Sequence, residues 1–269
     1  MKSMILTPLL GLTLILACAA LRAEDPEPQV PDRERELFNG QNLDGWYTFI
    51  KDRGVDSDPK GVFSVVDGAI RISGEEFGCI TTKEAFKDYR LTLEFKWGEK
   101  RWEPRKNRAR DSGLLIHSVG EDGAFGKTWA CSIEVNIIEG GLGDFIVVGD
   151  GSDAFSITVE TAAEKSKQNC FIWQKGGKRE TIHGGRADWF GRDPDWADTA
   201  DFRGRDDLDR KGDWNTLEVV ADGDRIDVFV NGTMVNQGFD ATPCAGRIQL
   251  QSEAAEVFFR RVTIAPLAK

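Results

Sequence analysis

The chain is poor in the residues that build most metal centres. It holds two histidines and five cysteines in 269 residues, and no two cysteines stand in a CxxC spacing, which argues against a zinc cluster. No long amphipathic helical pattern is present; only residues 162–167 could make a short turn of helix. After residue 20 no apolar run is long enough to cross a bilayer. A positive charge balance is also missing. The 35 Lys and Arg face 45 Asp and Glu, for a net charge of −10, so nucleic acid and anionic lipid are poor partners.

What is present begins with an export signal. Lys2, an apolar run from Met4 to Ala20 and small residues lead into the acidic, proline-rich Glu24-Asp25-Pro26-Glu27-Pro28, the order of a cleaved secretory segment. Cleavage after Ala23 is expected, with a lipid anchor on Cys18 of Ile15-Leu16-Ala17-Cys18 as the alternative. The expected location is periplasmic or extracellular, with no transmembrane segment left after cleavage. Residues 1–23 hold two cations and no acid, so 33 cations would remain against 45 acids, a net charge of −12. Export permits disulfides, and Cys79, Cys131, Cys170 and Cys244 allow three pairings. A buried free thiol is the other reading of Cys131, which sits in an apolar strand. Residues 24–36 are polar and charged and read as a disordered linker. Residues 37–266 read as one domain, large enough for a substantial core.

Apolar runs of period two recur at 63–66, 69–72, 90–97, 113–118, 133–138, 145–148, 155–159, 217–220, 226–230, 247–251 and 257–264. Asp67-Gly68, Asp222-Gly223 and Asn231-Gly232 each fall between two runs and predict hairpins. Many short strands with frequent turns predict an all-β sandwich or jelly roll. Two long insertions break this rhythm. Residues 98–111 are basic through Lys100, Arg101, Arg105, Lys106, Arg108 and Arg110. Residues 183–213 are rich in aspartate, with Trp189, Phe190, Trp196 and Phe202 interspersed. Loops of such length are often functional.

The densest chemistry lies in residues 110–144. Strand side chains alternate, which predicts Gly113, Leu115 and His117 on one face, and Ser132, Glu134 and Asn136 on one face of another strand. His117, Glu134, Glu139 and Asn136 would then floor a polar groove. Glu134 is the candidate base or metal ligand. His117 could serve as acid, base or ligand, and Asp111 could orient it. Asn136 and Gln251 are candidate hydrogen-bond partners for a ligand. Glu139 and Asp144, around Gly140-Gly141-Leu142-Gly143, could line the mouth or hold a cation. Arg108 and Arg110 could steady an anion, Glu94 and Lys96 could extend the floor, and Trp97, Trp129, Trp189 and Trp196 offer flat apolar faces. Each has a plainer reading: an ion-paired carboxylate, a satisfied buried histidine, a turn acid capping backbone, a solvated arginine, a core tryptophan. Trp46 and Trp214 are expected to be structural. No cofactor is indicated beyond a divalent cation that the Asp residues of 193–209 could hold, and these lack EF-hand spacing.

Several short motifs occur in order along the chain. They are Leu37-Phe38-Asn39-Gly40-Gln41-Asn42-Leu43-Asp44-Gly45-Trp46, Arg110-Asp111-Ser112-Gly113-Leu114-Leu115, Ile133-Glu134-Val135-Asn136-Ile137 and Gly212-Asp213-Trp214-Asn215. Val230-Asn231-Gly232, Ile248-Gln249-Leu250-Gln251-Ser252-Glu253 and Phe259-Arg260-Arg261-Val262 follow. Together, over residues 36–265, they resemble the bacterial 3-keto-disaccharide hydrolase family, also described as 3-keto-glucoside 1,2-lyase/3-keto-2-hydroxy-glucal hydratase. Asn136 stands where the family favours Gln, Arg261 where it favours Asn, and Glu253 where many members carry His. The resemblance implies a concanavalin A-like jelly-roll sandwich and a carbohydrate substrate already oxidised at carbon 3. Its ketone would acidify the carbon 2 proton, the glycosidic oxygen would leave from carbon 1, and water would add back to the enol. That route needs a base, an acid and something to steady the enolate; Asn136 and Gln251 would then meet sugar hydroxyls. The alternatives are a non-catalytic carbohydrate-binding module and a structural or adhesion protein.

Overall fold

The computed structural model describes residues 25–189, 191–200, 202, 208–210 and 212–268. The expected export segment with Cys18 lies outside the described residues, as do Phe190, Asp201, Asp206 and Asp207 of the acidic insertion. In chain order the strands begin β1 (Arg35–Glu36), β2 (Trp46–Ile50), β3 (Gly54–Val55), β4 (Phe63–Val66), β5 (Ala69–Ile72), β6 (Gly78–Thr82) and β7 (Tyr89–Arg101). The middle of the chain forms β8 (Asp111–Val119), β9 (Cys131–Ile138), β10 (Phe145–Val148), β11 (Ser156–Thr161), β12 (Phe171–Ile172), β13 (Lys178–Ile182) and β14 (Gly185–Asp188). The last are β15 (Asn215–Asp222), β16 (Arg225–Val230), β17 (Thr233–Thr242), β18 (Arg247–Ser252) and β19 (Ala255–Pro266).

One sheet runs β13-β11-β17-β16-β15-β7-β19-β5-β4, with β1 on β19; the other runs β12-β14-β10-β9-β8-β18-β6-β2-β3. The period-two runs explain why the two sheets pack. Leu91, Leu93 and Phe95 of β7, Leu217 and Val219 of β15 and Phe259 of β19 share one core with Leu114 and Ile116 of β8, Ile133, Val135 and Ile137 of β9 and Leu250 of β18. Each such fully buried side chain contributes roughly 1.5–3 kcal/mol. Among the described residues the result is the expected all-β sandwich of two packed sheets. The hairpins form where expected. Asp67 and Gly68, like Asn231 and Gly232, all take positive φ, as a tight turn between twisted strands requires.

Composition misjudges the N-terminal segment. Residues 25–36 do not form a disordered linker: Gln29 bridges Phe86, Asp25 accepts a hydrogen bond from the Gly120 N–H at 2.8 Å, and β1 pairs with β19. Residues 162–167 run as loop rather than helix. Cys79, Cys131, Cys170 and Cys244 are all free thiols. Among the described residues no helix is long and apolar enough to cross a membrane.

The nine-stranded sheet is covered on both faces. Along β8 eight consecutive residues are buried, and along β9 seven. One face meets the opposite sheet; the other is polar and lies under the long loops. That second face carries the site.

Candidate active site

Strand register brings the polar residues together. Gly113 lies opposite Asn136, and Leu115 lies opposite both Glu134 and Gln249, so Asp111, Gly113, Glu134, Asn136 and Gln251 line up across β9, β8 and β18 on the outer face. Beyond β10, Arg186 of β14 stands opposite Ile146, itself opposite Glu134. The Asn136 amide donates to Glu134 Oε1 at 2.8 Å and to Asp111 Oδ1 at 3.2 Å, bridging the two carboxyls. Gln251 Nε2 reaches Glu134 Oε2 at 3.3 Å. This packing needs a glycine at 113. A Cβ there would lie 2.4 Å from Gln251 Oε1 and 2.7 Å from Glu134 Oε1.

The basic and acidic insertions wall the floor, and their opposite charges dock them together. Arg105 donates to Asp111, to Glu253 at 3.1 Å and to Asp198 at 3.4 Å, while Ala109 N–H also reaches Asp198 at 3.1 Å. On the far side Asp144 is wholly buried and accepts from Arg186 (2.9 Å), Arg192 and the Trp189 N–H (2.7 Å). The Arg192 guanidinium stacks 4.0 Å from the Trp196 ring, over Gly140 and Gly141, where a Cβ would strike Trp196 and Arg192. A pocket of about 170 Å³ opens between these walls, lined by Asp111, Arg105, Arg186, Arg192, Trp196 and Asp188 among others.

Five buried or nearly buried carboxyls, Asp111, Glu134, Asp144, Asp188 and Glu253, face three arginines, Arg105, Arg186 and Arg192. Unequal charge in a desolvated site favours proton retention. Burial, reinforced by Asp111, lifts the Glu134 pKa to about 7 against the Asn136 hydrogen bond that opposes it. Burial likewise raises Asp111, and burial with Asp111 raises Glu253 well above the usual carboxylate range. Burial and Asp144 take Asp188 to about 6. For Arg186, burial works against the charge, yet Asp144, Asp111 and Glu134 hold the guanidinium more firmly protonated than usual. Two carboxyls that titrate near neutrality, Glu134 and Asp188, beside fixed cations suit acid–base chemistry with anion stabilisation.

Of the residues singled out from sequence, Glu134, Asp111, Asn136 and Gln251 come together in this cluster. Asp111 faces the pocket, and Glu134 lies directly behind it. His117 does not join them. A β-bulge between Ile116 and Val119, with His117 at φ +54°, breaks the alternation and turns the ring into the core. There His117 Nδ1 sits 3.1 Å from the Pro243 carbonyl and the ring meets Tyr89 edge-on, so Asp111 has no histidine to orient. Glu94 belongs to the opposite sheet, on the face away from the core, and bonds Arg260 (2.6 Å) and Arg261 (3.0 Å); it extends no groove floor. Glu139 and Arg110 are beside the cluster but satisfy one another. The Glu139 carboxylate accepts from Arg110 N–H (2.8 Å), Arg110 Nη1 (2.9 Å) and Arg101 (3.3 Å), which leaves little for a ligand. Trp129 lies on the other flank of the face, against Phe77 and stacked on Phe125. Trp97 is core, bonded to Asp209, while Trp189 and Trp196 border the pocket region. Trp46 is core and Trp214 packs under Lys96 and Arg260.

Sequence reading misses Arg105, Arg186, Arg192 and Asp188 as site residues. The period-two pair Arg186 and Asp188 was the available signal, hidden inside what reads as one long loop. The acidic insertion gives up its aspartates to cations and backbone: Asp195 to Lys167, Asp198 to Arg105 and Arg108, Asp213 to Trp214 N–H. Among the described residues no group of three or more His, Cys, Asp or Glu is arranged to hold a metal ion.

A sequence model of the 3-keto-alpha-glucoside-1,2-lyase-like domain matches residues 33–265. No curated protein matches the chain. Similar solved structures include a candidate glycosyl hydrolase from Parabacteroides distasonis, at 18% identity over 88% of this chain and 94% of that one, TM-score 0.48. A carbohydrate binding module from Bacillus subtilis is similar at 14% identity over 82% and 95%, TM-score 0.41. The Bacillus licheniformis β-glucanase follows at 11% identity over 87% and 97%, TM-score 0.43.

Proposed function

The chain belongs to the 3-keto-alpha-glucoside-1,2-lyase-like family, and from that premise we propose that it is an exported enzyme that cleaves 3-keto-glycosides by elimination and hydration. As a family member it is a carbohydrate-active protein. The observation that carries the catalytic reading is the buried Asp111–Glu134 pair, bridged by Asn136, at the edge of a pocket walled by arginines. A ketone at carbon 3 makes the carbon 2 proton removable by a base of near-neutral pKa. The pair takes that proton: Asp111 faces the sugar, and Glu134, with its pKa near 7, stands behind it, joined through the Asn136 amide. Arg186 and Arg105 stand next to the pair, where negative charge would build up on the enolate oxygen. Fixed cations of this kind act without reorganisation at the moment of reaction. Paired carboxyls at the separation of ordinary glycosidases are not required by this route.

The test follows aglycone release from a 3-keto-glucoside and from its unoxidised parent, with and without chelator. The reading expects cleavage of the keto form alone. Binding of both sugars without turnover would instead make the chain a carbohydrate-binding module. The export part rests on residues 1–23, and the N-terminal sequence of the secreted protein checks it: a start at Glu24 supports cleavage, and a lipidated Cys18 supports the anchored alternative.

A further inference from the structure

A second pocket, of about 190 Å³, adjoins the first and shares Gln168, Asp188 and Arg192 with it. Its other walls mix Ser166 and the apolar Ile172, Trp189 and Pro194 with the charged Glu164, Lys165, Lys167 and Asp193. Each space is of the size of one pyranose ring, and Asp188 lines both of them beside Gln168 and Arg192. That carboxyl is 1% exposed. Around it stand the Ser166 side chain, Arg192 at 3.6 Å and, electrostatically, Asp144 and Arg186. A buried carboxyl facing a second buried carboxyl tends to hold its proton, which a ligand oxygen can then receive.

Resting on the elimination reading above, we propose that the second pocket is the leaving-group subsite, shaped for a second sugar ring, and that Asp188 is the acid that protonates the departing glycosidic oxygen. The keto-sugar occupies the pocket that Asp111 faces, so the bond joining the two rings passes Asp188. The atoms balance as follows. The Asp111–Glu134 pair takes the carbon 2 proton, the carbon 1–oxygen bond breaks, and its electron pair goes to the oxygen, which takes the Asp188 proton. The products are the enol of the keto-sugar, with its new double bond between carbons 1 and 2, and the second sugar with its hydroxyl restored. In hydration Asp188 carboxylate takes a proton from water, hydroxide adds at carbon 1, and the pair returns its proton to carbon 2, which restores every group. Burial and the facing Asp144 keep the Asp188 proton available up to a pH of about 6.

Asp188→Asn is tested on a 3-keto-disaccharide and on a 4-nitrophenyl 3-keto-glucoside, whose leaving group needs no acid. The expected result is a loss of about 100-fold in the first-turnover rate of aglycone release from the disaccharide and a near-parental first-turnover release of nitrophenol, which precedes hydration and also proves the variant folded. Equal effects on both substrates would overturn the acid assignment. Lys167→Ala, at an exposed residue that lines the second pocket and not the first, is the independent arm. It should raise KM for the disaccharide but not for methyl 3-keto-glucoside, and an equal KM change on both overturns the subsite. Failure of the parent protein to cleave either ketoside would contradict the elimination reading itself, which sets that outcome apart from a misplaced acid.

Discussion

Glu134 and His117 are both buried, and burial moves their pKa values in opposite directions. For His117 it lowers the pKa to about 4 from an ordinary 6.5. The unfolded chain then binds more protons between those values, so His117 contributes stability above pH 6.5 that is lost as pH falls towards 4, on the order of 3 kcal/mol in all. His117→Gln should flatten that acid limb in thermal melts while leaving ketoside cleavage within a few-fold of the parent; a large loss of activity would return His117 to the chemistry. Glu134 has the reverse sign. Its pKa is raised from 4.5 to about 7, so the stability it contributes is present below pH 4.5 and lost as pH rises through 7. Glu134→Gln should therefore melt no lower than the parent at pH 8 even as activity disappears, since a site that stores strain trades stability for function. Glu134 and Asn136 were legible from alternation; Asp111 and Gln251 were singled out for their chemistry, and register rather than alternation joins them to the pair. His117 was not, because a bulge is a backbone event that side-chain alternation does not announce.

At the scale of elements, the long strands and three hairpins were legible because one face of each strand is continuously apolar and each turn needs Asp-Gly or Asn-Gly. β14 was not, because four residues with polar Arg186 and Asp188 inside an acidic stretch carry no apolar face. β6 and β17 escape for a related reason: both mix threonine and glycine with few apolar residues. Strand β8 offers a sharp test of how tightly the elements position the site. Gly113 has no Cβ to push Gln251 and Glu134 aside. Gly113→Ala should cost roughly 1–3 kcal/mol of stability through overpacking and about 100-fold in kcat through displacement of the carboxyl pair. Parental kcat in that variant would show that the two side chains are not held where catalysis needs them.

For the molecule as a whole, the acidic sequence conceals two insertions of opposite charge that fold onto each other, with Asp198 set between Arg105 and Arg108. Composition gives the net charge but not this pairing, which depends on distant segments meeting over one sheet. The pair is partly exposed, so Asp198→Asn should raise KM up to about fivefold, the equivalent of the roughly 0.2–1 kcal/mol of such bridges, and the parent's KM should rise with salt more steeply than the variant's. Identical salt dependence in both proteins would show that the loops do not rely on this contact. The central claim is that the Asp111–Glu134 pair removes the carbon 2 proton, and one measurement addresses it most directly. The parent, Asp111→Asn and Glu134→Gln proteins are incubated with a 3-keto-glucoside in deuterium oxide, and aglycone release and deuterium at carbon 2 of the released sugar are followed together by NMR. The account predicts cleavage with deuterium incorporation by the parent and a loss of both, by about 100- to 10,000-fold, in each variant. Cleavage and incorporation at the parental rate in either variant would contradict it.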